Sequence, residues 1–372
     1  MEADPSMLTH VKIENYRGFQ SYRLHELTPV NLLVGKNNSG KTALLECIHF
    51  LASGGDPMVL VNAATRRGEV VSGGRDEPPF LDVSHFFHGH DIGPGSRFSL
   101  TAQNGMPPVT VEAVPLDDVE PQPTLFEELP SARPAFALKI EGWRPESKGG
   151  RPFMLSEEGA LLVHPRVPLR RYFGDPRREG PPIVFITPDS SEPESLGAMW
   201  NQVLRDKQEG KIRNAMRILE PDLDDIVFQT GEFTVRPRAR RSGVLVSFSG
   251  HKRRVPLGSM GDGMRRLLEL SISLNHAKGG YLLIDEIDTG LHYSIMAKMW
   301  DLVVRTARKS RVKVFATTHS ADCVRGLGIV CKQSPELQQE VSAHKIERDL
   351  EQDVAFSGAD VLSAVEQDIE IR

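Results

Sequence analysis

The 372-residue chain has 39% hydrophobic and 26% charged residues and a formal net charge of −5. This composition is typical of a soluble globular protein, and its acidic balance argues against indiscriminate binding to nucleic acid. No apolar run approaches the ~20 residues of a membrane span, the N-terminus lacks the features of a signal peptide, and the three cysteines predict no disulfide framework. We therefore expect a cytoplasmic protein with one large α/β domain carrying inserts, or with two domains.

A strand, a glycine-bearing loop and a helix follow one another near the N-terminus. Residues 7–34 predict three strands, and the last of them, residues 30–34, runs directly into the loop. The loop has the pattern G-x-x-x-x-G-K-[ST] of a phosphate-binding loop, and its residues are Gly35, Lys36, Asn37, Asn38, Ser39, Gly40, Lys41 and Thr42. Apolar residues at helical spacing in 44–52 predict a helix whose N-terminus faces the phosphates. In this pattern Lys41 supplies a mobile positive charge, and the Thr42 hydroxyl is a ligand for Mg²⁺.

The next segment, residues 54–182, predicts a β-rich insert. Strands are expected at 97–102, 109–114, 135–143 and 160–164, with a hairpin-like turn at Asn104-Gly105 and a flexible acidic loop at 116–134. The histidines of His85-Phe86-Phe87-His88-Gly89-His90 have a spacing that would suit Zn²⁺. No partner motif accompanies them, so packing of the loop through its two phenylalanines is the favoured interpretation.

Residues 183–186 predict a strand that returns to the main sheet, and residues 192–219 predict a helical segment with apolar positions at helical spacing. Short strands are expected at 227–229, 233–235 and 244–248, followed by a helix over 263–274.

An apolar strand, residues 282–284, ends in Asp285 and Glu286. Asp285 is placed to bind the Mg²⁺ held by Thr42, and Glu286 to orient or activate a water. A second strand, residues 312–316, delivers Thr317, Thr318 and His319 to the same edge of the sheet, which makes His319 a candidate sensor of the γ-phosphate. The loop and the two strand ends together predict a nucleotide hydrolase.

These motifs resemble those of ABC-type ATPase heads, the class that includes SMC proteins, RecF and the overcoming-lysogenisation-defect (OLD) ATPases. The resemblance also rests on Ile13-Glu14-Asn15-Tyr16-Arg17-Gly18-Phe19, on Ser259-Met260-Gly261-Asp262-Gly263 at the place of the ABC signature, and on Gly290-Leu291-His292, which is typical of OLD-like ATPases. It implies a P-loop NTPase fold over 1–372, with a mixed central sheet and the β-rich insert at 54–182. It further implies a helical signature lobe at 190–268 and a half with the acidic strand and the switch histidine at 269–372.

The resemblance also implies the ligands and the assembly. ATP and Mg²⁺ are the expected cofactors, and Arg17 is expected to contact the nucleotide. Ser259 and Gly261 of one subunit are expected to complete the nucleotide site of another, in a head-to-tail homodimer or a higher oligomer. The signature reads Ser-Met-Gly-Asp-Gly, and not Ser-Gly-Gly-Gln or Ser-Gly-Gly-Glu, with Asp262 and Gly263 forming its outer part. Gln202 and Gln208 are candidates for the Q-loop glutamine by location alone.

Two functions follow from the resemblance. The first is an OLD-like ATPase that acts as a switch for a partner effector such as a nuclease, or for a DNA transaction, in prokaryotic antiphage defence. The second is a RecF-like ATP-dependent clamp or loader on DNA. Basic clusters in the middle third of the chain are candidate DNA contacts, and they comprise Arg170-Arg171, Arg177-Arg178, Arg236, Arg238, Arg240-Arg241 and Lys252-Arg253-Arg254.

Other interpretations are disfavoured. Only 53 residues follow His319, which is too few for a TOPRIM nuclease domain when ordinary domains run to ~100 residues. No heptad pattern predicts the long arms of an SMC protein. The insert and the signature are unlike those of a membrane transporter's ATPase subunit, so no membrane partner is expected.

Overall fold

The computed structural model of the protein describes residues 8–71, 80–103, 106–119, 133–142, 152–162, 180–189, 193–229, 243–251 and 253–371. The chain forms two compact units, which are described separately. Unit 1 comprises Met1–Leu27, Asn38–Gly180 and Ile346–Asp353. Unit 2 comprises Thr28–Asn37, Pro181–Lys345 and Val354–Arg372.

Unit 1 contains a six-stranded antiparallel sheet of order β2-β1-β6-β7-β8-β9. Its strands are β1 (Val11–Tyr16), β2 (Phe19–Leu24), β6 (Arg97–Ala102), β7 (Val109–Pro115), β8 (Phe136–Glu141) and β9 (Phe153–Leu155). Alternation is clear in β6, where Phe98 and Leu100 are buried while the residues beside them are more exposed. Because β6 pairs with β1, strands of the 54–182 segment and the N-terminal hairpin share one sheet.

Two helices and a short strand pair complete the regular structure described in unit 1. The helices are α1 (Lys41–Ala52) and α2 (Pro57–Arg67), and the strands are β4 (Val70–Val71) and β5 (Phe80–Leu81). Helix α2 begins with Asp56, whose side chain accepts a hydrogen bond from the Met58 N–H, and ends at Gly68 in the left-handed region. The turn predicted at Asn104-Gly105 and most of the acidic loop at 116–134 lie outside the described residues.

Unit 2 is organised around a mixed sheet of order β10-β14-β15-β3-β16-β17. The strands are β3 (Val30–Val34), β10 (Ile183–Ile186), β14 (Tyr281–Ile284), β15 (Lys313–Thr317), β16 (Val341–Lys345) and β17 (Val354–Ser357). All pairs are parallel except β16 with β17. Every residue of β3, β14 and β15 is buried, as expected for parallel strands covered on both faces. The sheet confirms the predicted α/β fold with a mixed central sheet.

Unit 2 also contains six described α-helices. They are α3 (Pro193–Arg205), α4 (Glu209–Met216), α5 (Asp262–His276), α6 (Met296–Ser310), α7 (Ala321–Gln333) and α8 (Gly358–Glu366). A three-stranded antiparallel sheet of β11 (Leu223–Gln229), β12 (Gly243–Phe248) and β13 (Val255–Pro256) precedes α5. The fully buried Trp300 joins α6 to α7 by donating its indole N–H to the Cys323 carbonyl at 2.9 Å. Several of these helices bury apolar side chains in the largest core described for unit 2.

The helical segment predicted at 192–219 is wrong as a single element. The structure has two helices, α3 and α4, separated at residues 206–208. Lys207 adopts a left-handed backbone with φ of 54°, and the Gln208 N–H bonds to the Val203 carbonyl. This closing turn ends the first helix, whereas the apolar spacing that predicted helix continues through it.

Candidate functional site

The predicted phosphate loop begins where β3 ends. Gly35 is buried with a φ of 146°, and Lys36 and Asn37 after it are exposed. Farther along, in unit 1, Asn38 is left-handed with φ of 63° and Gly40 has φ of 100°. A side chain at Gly40 is excluded, because a Cβ there would lie 2.4 Å from Cζ of Phe19. The loop glycine is therefore required by local packing as well as by backbone conformation.

The start of α1 has the features of an anion site. Gly40 precedes the helix without any side-chain cap, and the first turn carries no acidic residue. The Ser39 hydroxyl is buried, and it has no hydrogen-bond partner among the described residues. Uncapped N–H groups and an unsatisfied buried hydroxyl fit an anionic ligand such as a phosphate. Lys41 and Thr42 are the first two residues of this helix.

The carboxyl edge of the unit 2 sheet carries the predicted acidic pair. Asp285 and Glu286 follow β14, and the fully buried Thr317 ends the neighbouring strand β15. The Thr317 hydroxyl donates to Asp285 Oδ1 at 2.6 Å and accepts the Glu286 N–H at 2.8 Å. On the opposite side of β14, the Asp285 N–H donates to the Ile186 carbonyl at the end of β10, at 2.8 Å. One hydroxyl thus fixes the Asp285 carboxylate and the Glu286 backbone together.

Glu286 is held in an unusual conformation. Its φ is 49°, a left-handed value that costs a non-glycine residue about 1 kcal/mol or more. Its carboxylate stays partly exposed, with Oε2 accepting the Thr289 hydroxyl at 3.2 Å and Oε1 lying 3.8 Å from His319 Nδ1. Because backbone strain of this kind concentrates at functional sites, the conformation marks Glu286 and His319 as a candidate acid–base pair.

A residue that the sequence motifs do not indicate lies behind this edge. Arg266 of α5 is buried, and its guanidinium donates to the carbonyl oxygens of Asp285 and Glu286 at 2.9 and 2.8 Å. It also donates to the Thr187 carbonyl at 2.7 Å. Burial lowers the pKa of Arg266, despite the raising effect of the nearby Glu269 carboxylate. The sequence gives only a weak indication that Arg266 is buried, namely its place directly before Leu267 and Leu268 in a predicted helix.

The signature segment leads into the same helix. Ser259 is exposed and donates its hydroxyl to the Pro256 carbonyl at 2.8 Å, and Gly261 is exposed with φ of 87°. Asp262 and Gly263, the outer part of the motif, lie against the loop that follows β14. A Cβ added at Gly263 would be 3.2 Å from the Gly290 carbonyl oxygen, and one added at Gly290 would be 3.1 Å from Asp262 Cβ. Close approach of two backbones explains the glycine at position 263.

Arg17 and Glu46 are buried in an ion-pair network of unit 1. We call it the Arg17 network, and it comprises Arg17, Glu46, Glu69 and Arg67. The Arg17 guanidinium donates to both carboxylate oxygens of Glu69 at 2.7 and 2.9 Å, and its Nε lies 3.0 Å from Glu46 Oε2. Arg67 binds the other oxygen of Glu46 at 2.8 Å. A nucleotide contact by Arg17 would have to displace these carboxylates, so the geometry weighs against that predicted role.

Other predicted features also have a place in the structure. Phe86 and Phe87 are buried, His88 Nδ1 lies 2.9 Å from the Arg17 carbonyl oxygen, and the described residues contain no group of three or more His, Cys, Asp or Glu placed to hold a metal ion. Gln202 hydrogen-bonds to Asp206 and Arg205 at the end of its own helix. Most of the predicted basic clusters fall outside the described residues. No helix in the described part of the chain is long and apolar enough to cross a membrane.

Comparison with known proteins points to one broad class. Residues 7–70 match the family model "AAA ATPase domain", and residues 211–322 match "AAA domain, putative AbiEii toxin, Type IV TA system". An ATP/GTP phosphatase of Helicobacter pylori is 23% identical over 353 residues, covering 88% of this chain and 89% of that protein. The DNA replication and repair protein RecF of Acinetobacter baumannii is 49% identical over 47 residues, which is 13% of each chain.

Among solved structures, an SMC head bound to the C-winged helix domain of ScpA is similar, with a TM-score of 0.46 and 12% identity. The match covers 94% of this chain and 97% of that one.

Proposed function

Two AAA ATPase family models match parts of the chain, and an ATP/GTP phosphatase is similar over 88% of it; we therefore propose that the chain is an ATPase head of the ABC/AAA type that hydrolyses ATP with Mg²⁺ at the edge of the unit 2 sheet. One observation carries the proposal: the Thr317 hydroxyl bonds both the Asp285 carboxylate and the Glu286 backbone. Strand β3, which leads into the phosphate loop, pairs in parallel with the strand that ends at Thr317. The loop therefore begins at the edge where the acidic pair lies.

The proposed site residues differ in their roles according to their chemistry. Lys41 and the N–H groups at the start of α1 bind phosphate oxygens, while Thr42 and Asp285 are hard oxygen ligands for Mg²⁺. Glu286 positions the attacking water and accepts its proton, and His319, beside the Glu286 carboxylate, donates to an oxygen of the terminal phosphate. Bound Mg·ATP supplies the electrophilic phosphorus and a cation that offsets developing charge.

Steady-state ATP turnover tests this assignment. Glu286→Gln is expected to lower kcat by at least about 100-fold while leaving ATP affinity within a few-fold, because the amide cannot accept the proton of the water. Lys41→Ala is expected to weaken nucleotide binding itself. Glu366→Gln, which changes an exposed carboxylate of α8, is the matched control and should turn over ATP at the unsubstituted rate. Near-normal turnover by Glu286→Gln would refute the proposed role.

The proposal extends to a head-to-tail dimer in which Ser259 and Gly261 bind the nucleotide held by a second copy. Their exposure beside the start of α5 supports this, since both present small polar or backbone groups to solvent. Light scattering of Glu286→Gln with ATP should show twice the monomer mass, and adding Ser259→Arg should restore the monomer. A dimer that survives Ser259→Arg, or one that forms without nucleotide, would contradict a signature-mediated pair.

We further propose that ATP-driven pairing acts as a switch for a protein effector, as in an antiphage system. The match of 211–322 to a family described as a putative AbiEii toxin of a type IV toxin–antitoxin system supports this.

The alternative is a RecF-like clamp on DNA, which the local RecF similarity supports. ATP turnover with and without duplex DNA separates them. Stimulation by DNA favours the clamp, and indifference to DNA favours the effector switch.

A further inference from the structure

A groove in unit 2 is separate from the acidic edge. It has a volume of about 810 Å³ and lies between α4, α5 and α6. Its floor includes the half-buried Ile218 and Leu302 and the buried Leu274. Half-buried aliphatic side chains along a cleft between helices are the usual floor of a site that receives another apolar surface.

The rim of the groove is basic. Lys211, Lys298 and Lys309 line it and are exposed, and none of the three takes part in an ion pair among the described residues. The fourth cation of the rim, Arg305, is already bound to Asp301 at 2.7 Å and to the Ser334 hydroxyl at 2.6 Å. Three positive charges without a described ion-pair partner surround an apolar floor. Such a site is complementary to a ligand whose apolar side chains are flanked by carboxylates.

We propose that this groove docks an amphipathic helix of a partner protein, with an apolar face flanked by Asp and Glu. A helix suits the site better than a strand, because the walls are helices whose backbone groups are already bonded and offer no sheet edge. A nucleic acid suits it less well, because phosphates would use the lysines and leave the apolar floor without a partner. The inference rests on the proposed function, since it names where an effector would attach.

The position of the groove also suggests how docking and hydrolysis communicate. Helix α5 lines the groove with Ser271, Leu274 and Asn275 near its end. Nearer its start the same helix carries Arg266, which is bound to the carbonyl oxygens of Asp285 and Glu286. A ligand that shifts α5 along its axis would thus act on the backbone that holds Glu286. Docked partner and bound nucleotide would then influence each other through one rigid element.

Fluorescence anisotropy with defined probes tests the docking site. The probe is a labelled peptide of about 18 residues, or five helical turns, with leucines along one face and glutamates beside them. One control peptide has the same composition in scrambled order, and a second replaces glutamate by lysine. Labelled duplex DNA of about 20 base pairs is measured in parallel. The acidic amphipathic peptide is expected to bind saturably, at least about tenfold more tightly than either control peptide.

Substitutions locate the binding. Lys298→Glu with Lys309→Glu is expected to weaken the acidic peptide at least about tenfold, with the loss shrinking at high salt. Ile218→Asp should weaken it at every salt concentration, because it removes part of the apolar floor. Lys139→Glu reverses the charge of an exposed lysine in unit 1 and should leave peptide binding unchanged. Equal affinity of the double variant and the unsubstituted protein would overturn the proposal, as would no saturable peptide binding or binding of the DNA alone.

Peptide binding is measured without nucleotide, so it does not depend on hydrolysis. The double lysine variant is expected to turn over ATP at the unsubstituted rate in the absence of peptide, because neither lysine is assigned to the hydrolytic site. Loss of turnover in Glu286→Gln with intact peptide binding would support both proposals separately. If the unsubstituted protein turns over ATP but shows no saturable peptide binding, the docking site is refuted and the proposed ATPase still stands.

Discussion

Two buried arginines, one in each unit, are held in different ways. Arg17 begins the turn between β1 and β2 and is paired with the carboxylates of Glu69 and Glu46. Arg266 is bound mainly to backbone carbonyls, at the end of the parallel sheet. The motifs predict that Arg17 binds nucleotide, yet it lies in the Arg17 network. The motifs do not indicate Arg266, which holds the backbone of Glu286, the proposed catalytic residue.

The pKa values of the two side chains reflect these partners. Burial lowers the pKa of Arg17, but Tyr16, Glu69 and Glu46 together raise it well above its ordinary value. Burial is the largest influence on Arg266 as well, and there the pKa stays below its ordinary value. Carbonyl dipoles compensate a buried cation less than full negative charges do. The comparison separates a structural arginine, neutralised by carboxylates, from one that organises a backbone.

The first prediction concerns the structural arginine. Arg17→Ala is expected to lower the free energy of unfolding by roughly 3–5 kcal/mol, because Glu69 loses its bidentate partner and the buried Glu46 keeps only Arg67. Chemical denaturation measures this, and Arg23→Ala, an exposed arginine on the adjacent strand, is the control. The ATP affinity of the folded fraction should stay within about twofold. A much weaker affinity in Arg17→Ala, but not in Glu69→Ala, would restore the predicted nucleotide contact.

The second prediction concerns the organising arginine. Arg266→Ala is expected to reduce kcat by about 100-fold, because the Asp285 and Glu286 carbonyls lose their donor and Glu286 leaves its productive conformation. Arg265→Ala is a matched control at the next position, where the side chain is exposed and pairs with Asp262 at 3.4 Å. The KM for ATP should change far less than kcat. Equal kinetics for the two variants would show that Arg266 does not position Glu286.

A third prediction concerns Lys313, a buried lysine whose effect on stability depends on pH. Burial lowers the pKa of Lys313, at the start of β15, from 10.5 to about 7. The unfolded chain therefore binds more protons than the folded protein between about pH 7 and 10.5, so the free energy of unfolding contributed by this group rises with pH across that interval. Lys313→Met is expected to stabilise the protein by a few kcal/mol below pH 7, since each pKa unit corresponds to about 1.4 kcal/mol.

The stabilisation by Lys313→Met should decline above pH 7 and vanish near pH 10.5, where the lysine is neutral in both states. Denaturation curves at several pH values measure the difference. Lys278→Met, at an exposed lysine of the same unit, should show no such dependence. A stabilisation that stays constant with pH would mean that packing, and not protonation, is responsible.

The smallest expected effect concerns Thr317. Thr317→Val removes the hydroxyl that bonds Asp285 and Glu286 but keeps the shape of the side chain, and should reduce kcat/KM about tenfold. Thr317→Ser keeps the hydroxyl and should retain most of the activity. Turnover measured over a range of Mg²⁺ concentrations should show a weaker apparent Mg²⁺ affinity for the valine variant. Identical kinetics for Val and Ser would exclude a positioning role for the hydroxyl.

Local patterns predict much of the candidate site. The strands before Gly35 and Asp285 are recognisable as short apolar runs, and the helix after Thr42 by its spacing. Parallel strands present their carboxyl ends on one edge, so the meeting of Glu286 and His319 follows from the two strand patterns alone. The helix break at Lys207 does not, because the apolar spacing continues across a turn that only backbone hydrogen bonds reveal.

The sequence by itself predicted the phosphate loop, the acidic strand end and the short strands that lead into them, because each depends on neighbours within about ten residues. Only the tertiary structure decided which charges are neutralised and by what. Arg17 meets Glu69 across 52 residues and Arg266 meets the Glu286 carbonyl across 20. No local periodicity encodes such pairings. They arise when folding removes water from charged groups, which then must find the nearest carboxylate or carbonyl.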